Sequence, residues 1–189
     1  MWTNPGEIAG NGIDDDGNGY IDDVHGYDFA DKDSDPMDVH GHGTHCSGTI
    51  AAQGNNGNNI TGVAWNTQLM ALKIFADGSD GAFTSDIVNA ILYAADNGAK
   101  VSNNSYGSIF GNSVVAEIIQ KPMFDAISAA NDAGMLFVAA AGNDSTDLDG
   151  TTMSTPSDLE LPNIISVAAS NQFDEPASWF TNYGINSVD

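Results

Sequence analysis

Gly134-Met135-Leu136-Phe137-Val138-Ala139-Ala140-Ala141-Gly142-Asn143-Asp144 is an apolar run of strand length, opened by a glycine and closed by Gly-Asn-Asp. The residues before it, from about Met123 to Ala133, read as a helix that Gly134 terminates. A helix delivered straight into an apolar strand is half of a βα unit, and the same pattern recurs along the chain. Leu69–Phe75, Lys100–Ser105 and Asn163–Ala169 read as further strands. Between the first two, Ser85–Asn97 places Ile87, Val88, Ile91, Leu92, Ala94 and Ala95 on one helical face, with Asp86 near its start and Gly98 at its end. Repeated βα units predict an α/β fold, a parallel β-sheet flanked by helices on both faces. Function in such sheets gathers at the carboxyl ends of the strands. Those ends carry Asn103-Asn104-Ser105-Tyr106-Gly107 and Gly142-Asn143-Asp144.

Composition agrees with a globular chain. The 189 residues are 41% hydrophobic with 21 glycines, enough apolar surface to offset the entropy of ordering. Twenty-six acidic side chains against 4 lysines give a net charge of −22, which excludes a nucleic-acid surface built on phosphate neutralisation. No apolar run reaches the ~18 residues of a membrane span, and the start lacks the basic-then-apolar pattern of a signal peptide. Cys46 is the sole cysteine, so no internal disulfide forms.

The charge is unevenly placed. Eleven of the 26 acidic residues fall between Glu7 and Asp38, and all four histidines lie in or just after that stretch. Within it, Asp14-Asp15-Asp16-Gly17-Asn18-Gly19 has D-x-D-x-N-G spacing, which lets side-chain oxygens converge while Gly19 turns the chain. His25 stands where an EF-hand has its bidentate glutamate. The expectation is therefore a looser calcium loop using Asp14, Asp16, Asn18, the Tyr20 carbonyl and Asp22, with a solvated acidic loop as the alternative.

Gly41-His42-Gly43-Thr44-His45-Cys46-Ser47-Gly48-Thr49-Ile50-Ala51-Ala52 sets a histidine at a helix start and small residues at Gly43, Ser47, Gly48, Ala51 and Ala52 for close packing. This segment resembles the H-G-T-H helix of the subtilisin-like serine peptidases. The resemblance continues in family order through Ile60–Ala64, Asn103–Gly107, Val138–Asn143, Asn163–Ala169 and Ala177–Gly184, covering essentially the whole chain. It implies that His42 is a general base, passing a serine proton to the leaving amine. It implies that Asn143 donates its side-chain amide to the oxyanion, worth about 3–4 kcal/mol for the equivalent donor in subtilisin. Ser105, Tyr106 and Gly107 would pair with an extended polypeptide substrate, and with Ala140, Ala141 and Gly142 would line the pocket for the residue before the scissile bond. Cys46 is expected to be a small buried residue behind His42. Calcium as a structural ion, an extracellular location, a monomeric state and the absence of nucleic-acid or membrane partners follow as further expectations.

Two family motifs are missing: no D-[ST]-G tripeptide occurs, nor the G-T-S-M that carries the nucleophile. Gly150-Thr151-Thr152-Met153 imitates the latter but precedes the Asn163–Ala169 strand, whereas family order puts the nucleophile well after it. Both ends read as cut within a domain, so residues 1–189 are expected to be a partial peptidase domain, an acidic loop region over about 7–38 followed by a histidine helix and sheet core over about 39–189. Alone, such a fragment has no nucleophile to activate. The alternatives are a calcium-binding pseudopeptidase or interaction module and, from His40-Gly41-His42-Gly43-Thr44-His45, a zinc hydrolase with three convergent imidazoles.

Overall fold

A computed structural model describes residues 1–58, 60–111 and 114–189. The chain divides into two compact units, Met1–Ala90 and Ile91–Asp189.

In the first unit, β1 (Gly26–Asp28) pairs in parallel with β2 (Ala71–Lys73), Gly26 opposite Ala71 and Asp28 opposite Lys73. Gly26 has φ +124°, and a Cβ there would come 1.8 Å from the Ala71 carbonyl oxygen, so this crossing requires glycine. The strand expected over 69–75 is thus shorter, and its partner β1 was not anticipated. Helix α1 (His42–Ala51) lies between them in sequence. Its C-terminal carbonyls, which have no partner within the helix, are met from outside: Gly62 donates to Ala52, Val63 to Thr49 and Ala64 to Ile50, at 2.8–3.0 Å. Helix α2 (Thr84–Asp96) carries the chain from the first unit into the second. Its buried positions Ile87, Ala90, Ile91 and Ala94 keep i, i+3, i+4, i+7 spacing, as the sequence requires.

The second unit holds a three-stranded parallel sheet in the order β3-β5-β7: Val101–Asn104, Leu136–Ala140 and Ile164–Val167. Helix α3 (Val114–Asp132) precedes β5 and buries Met123, Ala126, Ile127 and Ala130, again on one face. It begins well before the expected Met123 because Pro122 does not break it. Pro122 and Ile118 are both exposed, so the carbonyl that loses its partner to the proline ring is on the side of the helix that water reaches. Ile127, Met135 and Phe137, essentially inaccessible, form the centre of this core. Asn163 fastens it by donating from Nδ2 to the carbonyls of Ile127 and Met135, joining the end of α3, the start of β5 and the approach to β7. An antiparallel ribbon that the sequence did not announce, β4 (Ser108–Gly111) with β6 (Thr152–Thr155), completes the unit.

Candidate active site

His42 is the first residue of α1 and is exposed. The turn into the helix is set by Gly41, at φ 95°, and by a carboxylate four residues before the histidine. Asp38 accepts from the amides of His40 and Gly41 at 2.9 Å through Oδ1, and from the Thr44 amide (2.7 Å) and hydroxyl (2.8 Å) through Oδ2. Led by the Thr44 amide, these donors outweigh the opposing desolvation and hold the Asp38 carboxyl far below the usual carboxylate range. One side chain thereby satisfies one open amide of the first helical turn, that of Thr44, and the two amides leading into it, and fixes where His42 stands. One turn on, Cys46 Sγ lies 3.8 Å from His42 Nε2. Cys46 is half-buried rather than buried. Nor does α1 pack closely through its small residues: it buries none of its positions among the described residues, and its tight contact is with the 62–64 segment at its C-terminal end.

In the second unit, β3 and β5 run parallel with Asn104 opposite Ala139, so the loops that follow them leave from one edge. The first loop is Ser105–Gly107, the second Ala141–Asn143. Asn104 is buried; its Nδ2 donates to Ser102 Oγ at 2.9 Å, and its Oδ1 accepts from the Tyr106 hydroxyl at 3.0 Å. Burial pushes the Tyr106 phenol well above its ordinary value, so it stays neutral. Asn103 Nδ2 donates to Ser105 Oγ. The β6 strand backs both loops: Ser154 Oγ donates to the Ala141 carbonyl, and a Cβ on Gly107 would lie 3.1 Å from the Thr155 carbonyl oxygen. This is the segment whose sequence imitates a nucleophile motif. Thr152 in fact sits in a strand rather than at a helix start, and Ser154 and Ser157 are buried.

Asn143 is exposed, on a loop whose backbone is held by the wholly buried Asn182. Asn182 accepts from the amides of Asp144 and Thr146 through Oδ1, donates from Nδ2 to the Ala141 carbonyl at 2.9 Å, and donates its own amide to the Gly142 carbonyl. Gly142, at φ 111°, has no room for a side chain, because a Cβ would come 2.3 Å from Asn182 Nδ2.

The acidic loop belongs to the first unit. Among the described residues, the ligand oxygens of Glu7, Asp14 and Asp16 are the one group of acidic, histidine or cysteine atoms close enough to share an ion, all within 4.8 Å of one another. Three hard oxygen donors suit calcium chemically. The loop is also laced internally: Glu7 accepts from the amides of Asp15, Asp16 and Asp22, and Asp14 from those of Gly17, Asn18 and Gly19. Of the other expected ligands, Asn18 donates to Asp16 and Asp23 and accepts from the Tyr20 amide, while Asp22 accepts from the amides of Asn11 and Gly12. His40, His42 and His45 form no such group, with the left-handed turn at Gly41 between His40 and the helix; the three-imidazole zinc arrangement is not built.

A parallel sheet with polar loops at its carboxyl ends, in a chain that also exposes a histidine at a helix start, fits an α/β scaffold of the subtilisin type. The chain belongs to the Subtilase family, Peptidase_S8, which it matches over residues 4–189. It is 40% identical over 161 residues to the thermophilic serine proteinase of Bacillus sp. (strain AK1), covering 85% of this chain and 36% of that protein. With thermitase of Thermoactinomyces vulgaris it shares 38% identity over 161 residues, covering 85% and 52%. The solved structure of a cold-adapted subtilisin-like serine proteinase superposes with a TM-score of 0.68 at 31% identity, over 87% of this chain and 53% of that one. The chain thus spans about half or less of the length of these relatives.

Three residues that position the site escaped the sequence reading. Asp38 had a local signal, an Asp six residues before a Thr at a glycine-marked helix start. Asn182 and Glu7 had none, since their partners lie up to 41 and 15 residues away.

Proposed function

We propose that this chain forms part of a serine endopeptidase that hydrolyses peptide bonds in proteins, with His42 as general base and Asn143 as oxyanion donor. The observation that carries this reading is an exposed His42, fixed at the head of α1 by Asp38, within residues that match the Subtilase family. His42 would take a proton from a serine hydroxyl and return it to the leaving amine. The Asn143 amide, on a loop held by Asn182, would meet the charge that develops on the carbonyl oxygen. Ser105, Tyr106 and Gly107 would receive an extended polypeptide, and Ala140, Ala141 and Gly142 would flank the side chain before the scissile bond. Calcium would be held through Glu7, Asp14 and Asp16, with Asn18, the Tyr20 carbonyl and Asp22 as the loop's remaining oxygens. Bound there it would neutralise part of the loop's charge and fix the fold, taking no part in the reaction. Filling of such a site in millimolar calcium fits an extracellular enzyme. No helix among the described residues is long and apolar enough to cross a membrane.

The test is hydrolysis of a fluorogenic peptide amide by the 189-residue chain and by the longest product of its gene. The longer product should turn over, lose activity to a serine-directed inhibitor, and fall at least ~10³-fold in kcat as His42→Ala. The short chain should be inactive. An inactive longer product that still binds calcium would establish the pseudopeptidase instead.

A further inference from the structure

One cavity in the second unit takes no part in this reading. It has a volume of about 540 Å³ and lies between the middle of α3, the 148–153 and 158–160 segments, and Asn186–Ser187. Its floor is apolar, from Phe124, Leu148, Met153 and Leu159. Gln120 also lines it; the residue is 4% exposed, and its Nε2 has no hydrogen-bond partner. A buried amide donor left open marks a place where an acceptor belongs.

Three carboxylates, those of Asp149, Asp158 and Glu160, join the lining. Asp149 accepts from the amides of Ile185, Asn186 and Ser187 and from the Ser187 hydroxyl. Against desolvation, those donors keep its carboxyl below the ordinary value, and so charged. Asp158 is half-buried, its carboxyl pushed up by that burial first and then by the nearby Asp149 and Glu160. Among the described lining residues the one cation, Lys121, is paired with Asp125. Carboxylates without a counter-charge, over an apolar floor, suit a cation on an alkyl stem. The open Gln120 donor adds the need for a carbonyl.

We propose that this cavity binds a basic side chain presented on peptide backbone, its alkyl stem on Phe124 and Leu159, its cation among Asp149, Asp158 and Glu160, and a peptide carbonyl on Gln120 Nε2. The site is independent of the peptidase reading, because binding requires no catalytic residue.

The test is titration of the 189-residue chain with acetyl-Gly-Lys-Gly-amide, followed by NMR of the Gln120 side-chain amide. Saturable binding is expected, weakening with salt and at least about tenfold tighter than for the norleucine or glutamate analogue or for n-butylamine. Asp158→Asn, which keeps the shape of the side chain, should weaken the lysine peptide severalfold. Gln120→Leu should bring the lysine peptide down toward n-butylamine. No saturation by about 10 mM, equal affinity for the norleucine or glutamate peptide, or indifference to Asp158→Asn would overturn the proposal. Equal affinity for n-butylamine in the unsubstituted chain would overturn the peptide part of it.

Discussion

Asn182 holds the Ala141–Thr146 loop, and it stands so near Gly142 that no side chain fits there beside it: a Cβ on Gly142 would reach within 2.3 Å of Asn182 Nδ2. Asn182→Ala leaves the amides of Asp144 and Thr146 and the Ala141 carbonyl without that partner. A cost of roughly 2–4 kcal/mol is expected in urea unfolding. Gly142→Ala should cost a similar amount from clash and positive φ, about 2–3 kcal/mol. The double variant should cost less than the sum, since removing Asn182 relieves the clash. Strict additivity would show that the two do not act on each other.

Lys73 and Lys121 both form ion pairs, and they should behave oppositely. Lys73 Nζ meets Asp28 at 2.5 Å, Asp77 at 2.6 Å and Asp31 at 3.2 Å, and Asp28 is 1% exposed. Burial alone would pull the Lys73 ammonium down, but the three carboxylates hold it above its ordinary value. Its contribution is therefore full below about pH 10, the unfolded value, and lost progressively as pH rises from there through its raised folded value. Lys73→Met strands the Asp28 charge and should cost about 3–5 kcal/mol at neutral pH. Lys121 pairs with Asp125 in solvent, so Lys121→Ala should change stability by less than about 0.5 kcal/mol. Thermal unfolding of both variants checks the contrast.

The proposed calcium loop separates two ligand sets. Glu7, Asp14 and Asp16 converge, whereas the Asp22 carboxylate is occupied by the amides of Asn11 and Gly12. Titration with calcium should give a Kd of order 10⁻⁴ M, weakened at least about tenfold by Glu7→Gln or Asp14→Asn. Asp22→Asn should have a smaller effect. A larger effect of Asp22→Asn would restore the spacing-based set of Asp14, Asp16, Asn18, Tyr20 and Asp22.

What the sequence made legible was whatever is contiguous. Met135–Ala140 is an unbroken apolar run and Asn163–Ala169 a mostly apolar one, and they become β5 and β7 with shifts of a few residues at their ends. His42 was visible because its motif is local. By contrast β1, Gly26-Tyr27-Asp28, is short and partly polar, and it is a strand only because Ala71–Lys73 pairs with it from 45 residues away. The early start of α3, through Pro122, has a related reason: the carbonyl the proline orphans lies on the exposed side, and exposure is decided by the tertiary fold. Glu7 and Asn182 act through bonds that no periodicity announces. The candidate side chains thus sit in local motifs, whereas Asn182 and Glu7, two of their three supports, do not.

Asp38 ties one of those supports to pH. Its carboxyl is held well below the ordinary value by the Thr44 amide first, then by the Gly41 amide, the Thr44 hydroxyl and the His40 amide. A depressed acid stabilises the fold fully above its unfolded value, about pH 4, and loses that contribution as pH falls toward the folded value. The chain should therefore lose stability of helix α1 on acidification below about pH 4, followed by urea unfolding across a pH series. In Asp38→Asn the amide cannot supply two accepting oxygens, so Thr44 or the Gly41 turn loses its partner. The variant should be about 1–2 kcal/mol less stable at pH 7, with the gap narrowing as pH falls below about 4, where unfolding begins to take up a proton. A gap that persisted unchanged at pH 2 would mean that Asp38 acts through shape alone. Because those bonds fix the first turn of α1, the exposed His42 imidazole should move with them, and its NMR signals should broaden in Asp38→Asn at neutral pH.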